Sequence, residues 1–365
     1  MTGTGLQERL RIRSGQGDYP VLAAATVEAV GALVERIDDR VVVIDRNVLT
    51  LHGAALRGAL QGSPTVVFDA LETEKTLRGV EKILSCLTEH EKSRRTTLVA
   101  IGGGIIQDVS TLAAHIYHRG LPFVYVPTTL LGMADSGIGA KCGINFARFK
   151  NLIGVFHSPR QVVICLGFLD TLSDDDVRSG YGEILKLSLT GSRQFYDRLS
   201  RSLDRDGLRG PELESLVFDS LRVKQRVIEA DEYETEYRRV LNYGHTFGHA
   251  LEAVTDYRVP HGLGVAWGIG AANEIAVRRG VLSEPQHRAI LEVIARHFPI
   301  ALGAAVTVPD LVGAARKDKK STQGVVQMAL LERPGGLRLE RVPFDADMER
   351  ALAAYLDSGH ARRRS

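Results

Sequence analysis

The run TLVAIGGGIIQDVSTLAAHIYHR, residues 97–119, decides the fold class. A short apolar segment ends in three glycines and passes directly into a pattern of helical spacing, the signature of a strand, a tight turn and a helix. The same kind of segment recurs on both sides of it: VVVID at 41–45, TVVFD at 65–69, FVYVP at 123–127 and QVVIC at 161–165. Between them lie helical patterns such as LRGVEKILSCLTEHEKS. Buried strands alternating with helices predict a mostly parallel sheet, so residues 1–165 are expected to form an α/β domain, Rossmann-like in plan.

In such sheets, ligands gather beyond the carboxyl ends of the strands. Two of those ends are chemically marked. VVVID finishes on Asp45, whose carboxylate can accept hydrogen bonds from ribose hydroxyls. Gly102, Gly103 and Gly104 would let a pyrophosphate approach backbone N–H groups at a helix N-terminus. GGGIIQD is not the GxGxxG fingerprint, and a tight turn alone also selects glycine, so both readings stand at this point. The polar stretch Pro127 to Gly154 holds Asp135, Lys141, Lys150 and Asn151 after a strand, which suits an anionic ligand or, more plainly, a long surface loop.

Beyond about residue 168 helical periodicity dominates, over 175–190, 212–230, 242–256, 262–279 and 285–297. VVQMALL and LRLERV, split by ERPGG, predict a hairpin late in the chain. A boundary near Pro159 to Thr171 divides the first domain from a mainly α-helical second one at 166–357, and 358–365 is expected to be a disordered tail.

The 365 residues suffice for about two cores. With 46 basic and 44 acidic side chains the net charge is only +2, which gives no reason to expect nucleic acid as a partner. Three scattered cysteines without CxxC spacing, no signal-peptide core and no membrane-length apolar run point to a reducing, cytoplasmic setting away from any membrane.

The chemistry concentrates in NYGHTFGHALEAVTDYRVPH, residues 242–261. On a helix, His245 and His249 stand one turn apart on one face, and His261 follows just past Pro260. Neutral imidazoles are good ligands for zinc and similar ions, and a catalytic site takes three protein ligands with one position open. A lone i,i+4 histidine pair is more often an ordinary surface or core feature. In SGYGEILKLSL, Glu183 and Lys186 lie three apart in apolar surroundings, either as a weak surface pair or as a buried pair in which Glu183 supplies an oxygen ligand.

Taken together and in order, GGGIIQD, YHRGLPFVYVPTTLLGMADSGIGAK, KNLIG, GEILK, RRVLNYGHTFGHALE, HG and DKK resemble 3-dehydroquinate synthase and the related sugar phosphate cyclases over about residues 40–330. The resemblance implies a dehydroquinate synthase-like fold with Glu183, His245 and His261 as ligands of a divalent metal, zinc with cobalt as the alternative. It implies that His249 faces the substrate phosphate region rather than the metal, a distinction helical geometry alone does not make. Asp135, Lys141, Lys150, Asn151, Lys186, Lys224, Arg238 and Asn242 match substrate-contacting positions, as does one of Lys319 and Lys320. Arg119 matches an arginine that reaches the neighbouring subunit's site, implying a homodimer. Asp45, Glu72, Lys75, Gly103, Gly104, Asp108, Thr128, Thr129 and Thr171 are implicated in holding NAD.

The implied reaction is transient oxidation by NAD, phosphate elimination, re-reduction and intramolecular aldol closure, a carbon–oxygen lyase reaction. Asn242, His249, Lys224 and Arg238 favour 3-deoxy-D-arabino-heptulosonate 7-phosphate, with 3-dehydroquinate as product. GAKCGIN and HGLGVAW depart from the usual runs, so a cyclase acting on sedoheptulose 7-phosphate or another sugar phosphate, with a valiolone-type or inosose-type product, is the alternative. An NAD- and metal-dependent polyol dehydrogenase is the alternative from another reaction class.

Overall fold

In a computed structural model the chain divides into two compact units, Met1–Ser173 and Asp174–Ser365. The structure describes residues 5–147, 149–302, 306–317, 321–322 and 324–358.

The first unit is built on a seven-stranded sheet. In chain order its elements are β1 (Leu6–Ile12), β2 (Tyr19–Ala24), α1 (Val27–Glu35), β3 (Arg40–Asp45), α2 (Arg46–His52), α3 (Arg57–Leu60), β4 (Thr65–Phe68), α4 (Leu77–Glu89), β5 (Thr97–Gly102), α5 (Gly104–Ile116) and β6 (Phe123–Pro127). A two-stranded hairpin follows, β7 (Ile144–Phe146) and β8 (Phe149–Ile153), and then β9 (Gln161–Ile164) returns to the main sheet. Across that sheet the order is β1-β2-β9-β6-β5-β3-β4; β1 joins antiparallel and every other pairing is parallel. Val41 to Ile44 and Leu98 to Ile101 are fully buried, as strands covered on both faces must be.

The five strands expected from apolar runs are present. The N-terminal hairpin is additional, and its sequence hides it: β1 reads LQERLRI and carries Glu8, Arg9 and Arg11 on an edge strand. Pro127 to Gly154 is more structured than a surface loop, since it contains a helical turn, Gly132–Ser136, with Asp135 buried, and the β7–β8 hairpin.

From β3 the chain moves outward to β4, then crosses back to the other side of β3 to lay down β5. This reversal is the topological switch point at which doubly wound sheets bind ligands. Asp45 ends one of the two flanking strands and Gly102 ends the other, with Ile44 paired to Ile101.

The second unit is mainly helical: α6 (Asp174–Gly191), α7 (Arg193–Asp206), α8 (Leu213–Ala230), α9 (His245–Val254), α10 (His261–Arg278), α11 (Glu284–His297) and α12 (Val308–Arg316). A small sheet, β10 (Ser321–Thr322), β11 (Val325–Arg333) and β12 (Gly336–Pro343), precedes α13 (Ala346–Asp357). The expected late hairpin is β11–β12. The helix expected over 242–256 begins only at His245. Gly244 adopts a left-handed backbone, φ 79°, which ends the preceding turn Tyr237–Asn242 and starts a new helix axis.

Helix α10 approaches both α6 and α9 closely, because glycines sit where it crosses them. A Cβ on Gly182 would lie 2.0 Å from the Gly262 carbonyl oxygen, one on Gly262 would lie 1.7 Å from that of Ser179, and one on Gly268 would lie 2.0 Å from that of Gly244. No side chain fits in those gaps. Each of Gly182, Gly244 and Gly262 is also the immediate neighbour of a candidate ligand: Glu183, His245 and His261.

Candidate active site

The glycine crossings bring one carboxylate and three imidazoles together in the second unit. Glu183 is buried at 2% exposure, and its Oε1 lies 3.0 Å from His261 Nε2 and 3.6 Å from His245 Nε2. Its Oε2 lies 2.6 Å from Nζ of Lys186, which is equally buried. The i,i+3 pair read from the sequence is therefore an interior pair, in which the ammonium neutralises a carboxylate that would be costly to bury alone.

The three histidine rings lie with ligand atoms within 4.8 Å of one another. Proximity alone does not separate His249 from the other two. His245 and His261 each turn Nε2 toward Glu183 Oε1. His261 Nδ1 lies 2.8 Å from Glu252 Oε1, and His245 Nδ1 lies 3.2 Å from the Tyr243 carbonyl oxygen. A carboxylate and a carbonyl only accept, so in both rings Nδ1 carries the donated hydrogen and Nε2 is directed at Glu183.

This arrangement suits a cation. Tetrahedral zinc with bonds of about 2.0–2.1 Å sets its donors about 3.3 Å apart, close to the two Glu183–imidazole separations. Electrostatics agrees: burial works against a charged His261, yet its hydrogen bonds to Glu183 and Glu252 raise it to about 10. Without a metal, a proton answers the carboxylates' demand for positive charge.

Other predicted residues of this unit lie on elements packed around α6. Lys224 is on α8 and Arg238 and Asn242 are on the turn Tyr237–Asn242; both cations are buried. Arg238 donates through Nη1 to the Glu232 carbonyl at 2.5 Å, and Asn242 Nδ2 donates to Glu234 Oε1 at 3.0 Å. Lys319 and Lys320 lie outside the described residues, as do residues 359–365 of the expected tail.

In the first unit Gly103 is the N-cap of α5 and Gly104 its first residue; a Cβ on Gly104 would meet nothing within 4 Å. Thr129 lies against Gly103, and Thr128 N donates to the Gly102 carbonyl. Asp45 also caps α2, accepting from Asn47 N at 2.8 Å, and burial raises its carboxyl. Thr171 Oγ1 lies 2.9 Å from His52 Nε2.

Further cofactor candidates are joined to substrate candidates by ion pairs and hydrogen bonds. Lys75 pairs with Asp108 at 2.7 Å, Asp108 Oδ1 accepts from Gly143 N, and burial raises the Asp108 carboxyl against the pull of Lys75. Glu72 lies 3.5 Å from Lys150 and accepts from Asn145 Nδ2, while Asn145 Oδ1 accepts from Asn151 N. Lys141 sits at an isolated bridge with Phe156, and Arg119 is exposed at a left-handed position, φ 68°.

Reading the sequence missed Glu252 and Asn145. Glu252 had a signal, since 245, 249 and 252 share a helical face; Asn145 had none.

The sequence models of two domains match this chain, 3-dehydroquinate synthase N-terminal over residues 65–179 and 3-dehydroquinate synthase C-terminal over residues 180–321. A 3-dehydroquinate synthase of Solibacter usitatus is 37% identical over 321 residues, 86% of this chain and 90% of the relative. One of Acidithiobacillus ferrooxidans is 33% identical over 356 residues, 95% and 98% of the two chains. Among solved structures, 2-epi-5-epi-valiolone synthase from Streptomyces hygroscopicus, with NAD+ and Zn2+ bound, superposes with a TM-score of 0.85 at 28% identity, covering 96% of this chain and 99% of that one. Matched by both domain models and by relatives along nearly its whole length, the chain belongs to the 3-dehydroquinate synthase family.

Proposed function

We propose that this enzyme is an NAD- and divalent-metal-dependent carbon–oxygen lyase that converts 3-deoxy-D-arabino-heptulosonate 7-phosphate to 3-dehydroquinate and phosphate. The observation that carries the reading is the buried Glu183 carboxylate facing Nε2 of His245 and His261, with Lys186 beside it. When bound, NAD supplies reversible hydride acceptance, and the metal, held by Glu183, His245 and His261, supplies polarisation of a substrate oxygen. Asp45, Glu72, Lys75, Gly103, Gly104, Asp108, Thr128, Thr129 and Thr171 hold the nucleotide; the switch point between β3 and β5 supports this.

The chain's own residues do the rest. Buried Lys224 and Arg238 meet the substrate carboxylate, and the guanidinium can do so bidentately. Lys141, Lys150, Asn151 and His249 take the phosphate end, with lysines acting as point charges. Asp135, Lys186 and Asn242 orient the hydroxyls, and Asn242 is itself held by Glu234. Exposed Arg119 completes the site of a second copy, so the working form is a homodimer.

The second reading, a cyclase for sedoheptulose 7-phosphate, is favoured by the likeness to 2-epi-5-epi-valiolone synthase. Arg238→Ala separates the two. Loss of a buried, hydrogen-bonded charge partner costs about 2–5 kcal/mol, so kcat/KM for the heptulosonate phosphate should fall by on the order of a hundredfold or more, while the sugar phosphate that lacks a carboxylate is little affected. Equal losses for both would remove this reason for preferring the heptulosonate phosphate, and phosphate release from sedoheptulose 7-phosphate alone would establish the second reading.

A further inference from the structure

The metal reading leaves one carboxylate of the cluster without a role. Glu252 lies on α9 three residues after His249, buried at 8% exposure, and reaches across to the first residue of α10, placing Oε1 2.8 Å from His261 Nδ1. Gly264 lies alongside it, where a Cβ would sit 3.4 Å from both Cγ and Oε1 of Glu252. His245, by contrast, is backed by the neutral carbonyl of Tyr243. The two imidazoles that face Glu183 are thus supported unequally, one by a dipole and one by a full charge.

We infer that Glu252 is a positioning residue for the metal centre: it accepts the Nδ1 hydrogen of His261, fixes that ring as the Nε2-donating tautomer and strengthens it as a ligand. A neutral imidazole has one donor and one acceptor nitrogen, and the acceptor must face the cation. With Nδ1–H committed to Glu252, only Nε2 is available, and it already points at Glu183 Oε1. Charge balance follows the same logic. Glu183 and Glu252 against Lys186 leave one net negative charge in the cluster, so Glu252 supplies the charge that Lys186 takes from Glu183. The inference rests on the metal reading given under Proposed function.

The test uses the purified metal-free full chain, titrated with Co2+ and Zn2+ alone. Affinity is read by chelator competition, and the coordination sphere by the visible absorption band of bound Co2+. Outer partners of ligating histidines typically contribute ten- to hundredfold in affinity, so E252A should weaken both metals by about that factor and shift the Co2+ band. E252Q should recover part of the loss, because an amide oxygen still accepts from Nδ1–H but carries no charge. Far-ultraviolet circular dichroism of the metal-free proteins should coincide, which separates a disturbed ligand from a disturbed fold. An E252A protein that binds Co2+ within about twofold of the parent with an unchanged band overturns the inference. Equal losses in E252A and E252Q do so too. H261A distinguishes the two levels: it should abolish binding, and if it binds as the parent does, the metal reading itself fails and this inference with it.

Discussion

Asp231 organises the turn that carries Arg238. One of its carboxylate oxygens accepts from the Thr235 amide and hydroxyl at 2.8 and 2.9 Å, the other from the amides of Glu236 and Arg238, both at 2.9 Å. Burial works against its charge, but these donors hold the carboxyl well below the usual carboxylate range. A depressed folded-state value means that its stabilisation is present in full above the unfolded value of about 3.9 and is lost as pH falls through the lower folded value. Asp231→Asn should therefore cost about 1–3 kcal/mol at pH 7 in urea unfolding, because both oxygens accept and one is replaced by an NH2 group that faces amide donors. The gap to the parent should persist at about pH 5 and narrow only below about pH 4; a gap already closed at about pH 6 contradicts the assignment. At this scale the sequence is legible unevenly. His245, His249 and Glu252 share a face that spacing alone discloses, whereas the contact between Glu252 and His261 depends on how two helices cross, which no local pattern encodes.

The crossing of α6, α9 and α10 is set by glycines, and it can be tested by filling them. Gly182→Ala and Gly262→Ala each drive a methyl into backbone rather than into a movable side chain, so each should destabilise the fold by about 1–3 kcal/mol or more. Each should also lower zinc content, because the glycine and the ligand are neighbours in sequence. Gly313→Ala, on α12 with nothing within 4 Å of its Cβ, should instead stabilise by about 0.5–1 kcal/mol with metal content unchanged. Unfolding midpoints and metal analysis check all three; Gly182→Ala with parental stability and zinc would contradict this account of the packing. Strands buried on both faces and long helices could be read because burial writes itself as apolar runs or periodicity. The β1–β2 hairpin and α7 escaped because edge strands and exposed helices carry charges that break such runs, as Glu8, Arg9 and Arg11 do in β1.

Across the whole molecule, the first unit carries the switch point marked by Asp45 and Gly102–Gly104, and the second carries the Glu183, His245 and His261 cluster. Neither is diagnostic by itself, because nucleotide sheets and histidine clusters serve many reactions. What joins them is family membership, and the property that divides a cyclase from an NAD-dependent dehydrogenase is the fate of the electrons. The decisive measurement supplies purified protein with NAD, a divalent metal and 3-deoxy-D-arabino-heptulosonate 7-phosphate, and follows inorganic phosphate and NADH in the same sample. Many turnovers of phosphate with no accumulation of NADH are the predicted result. NADH rising in step with substrate consumption, with phosphate retained on the product, would contradict it.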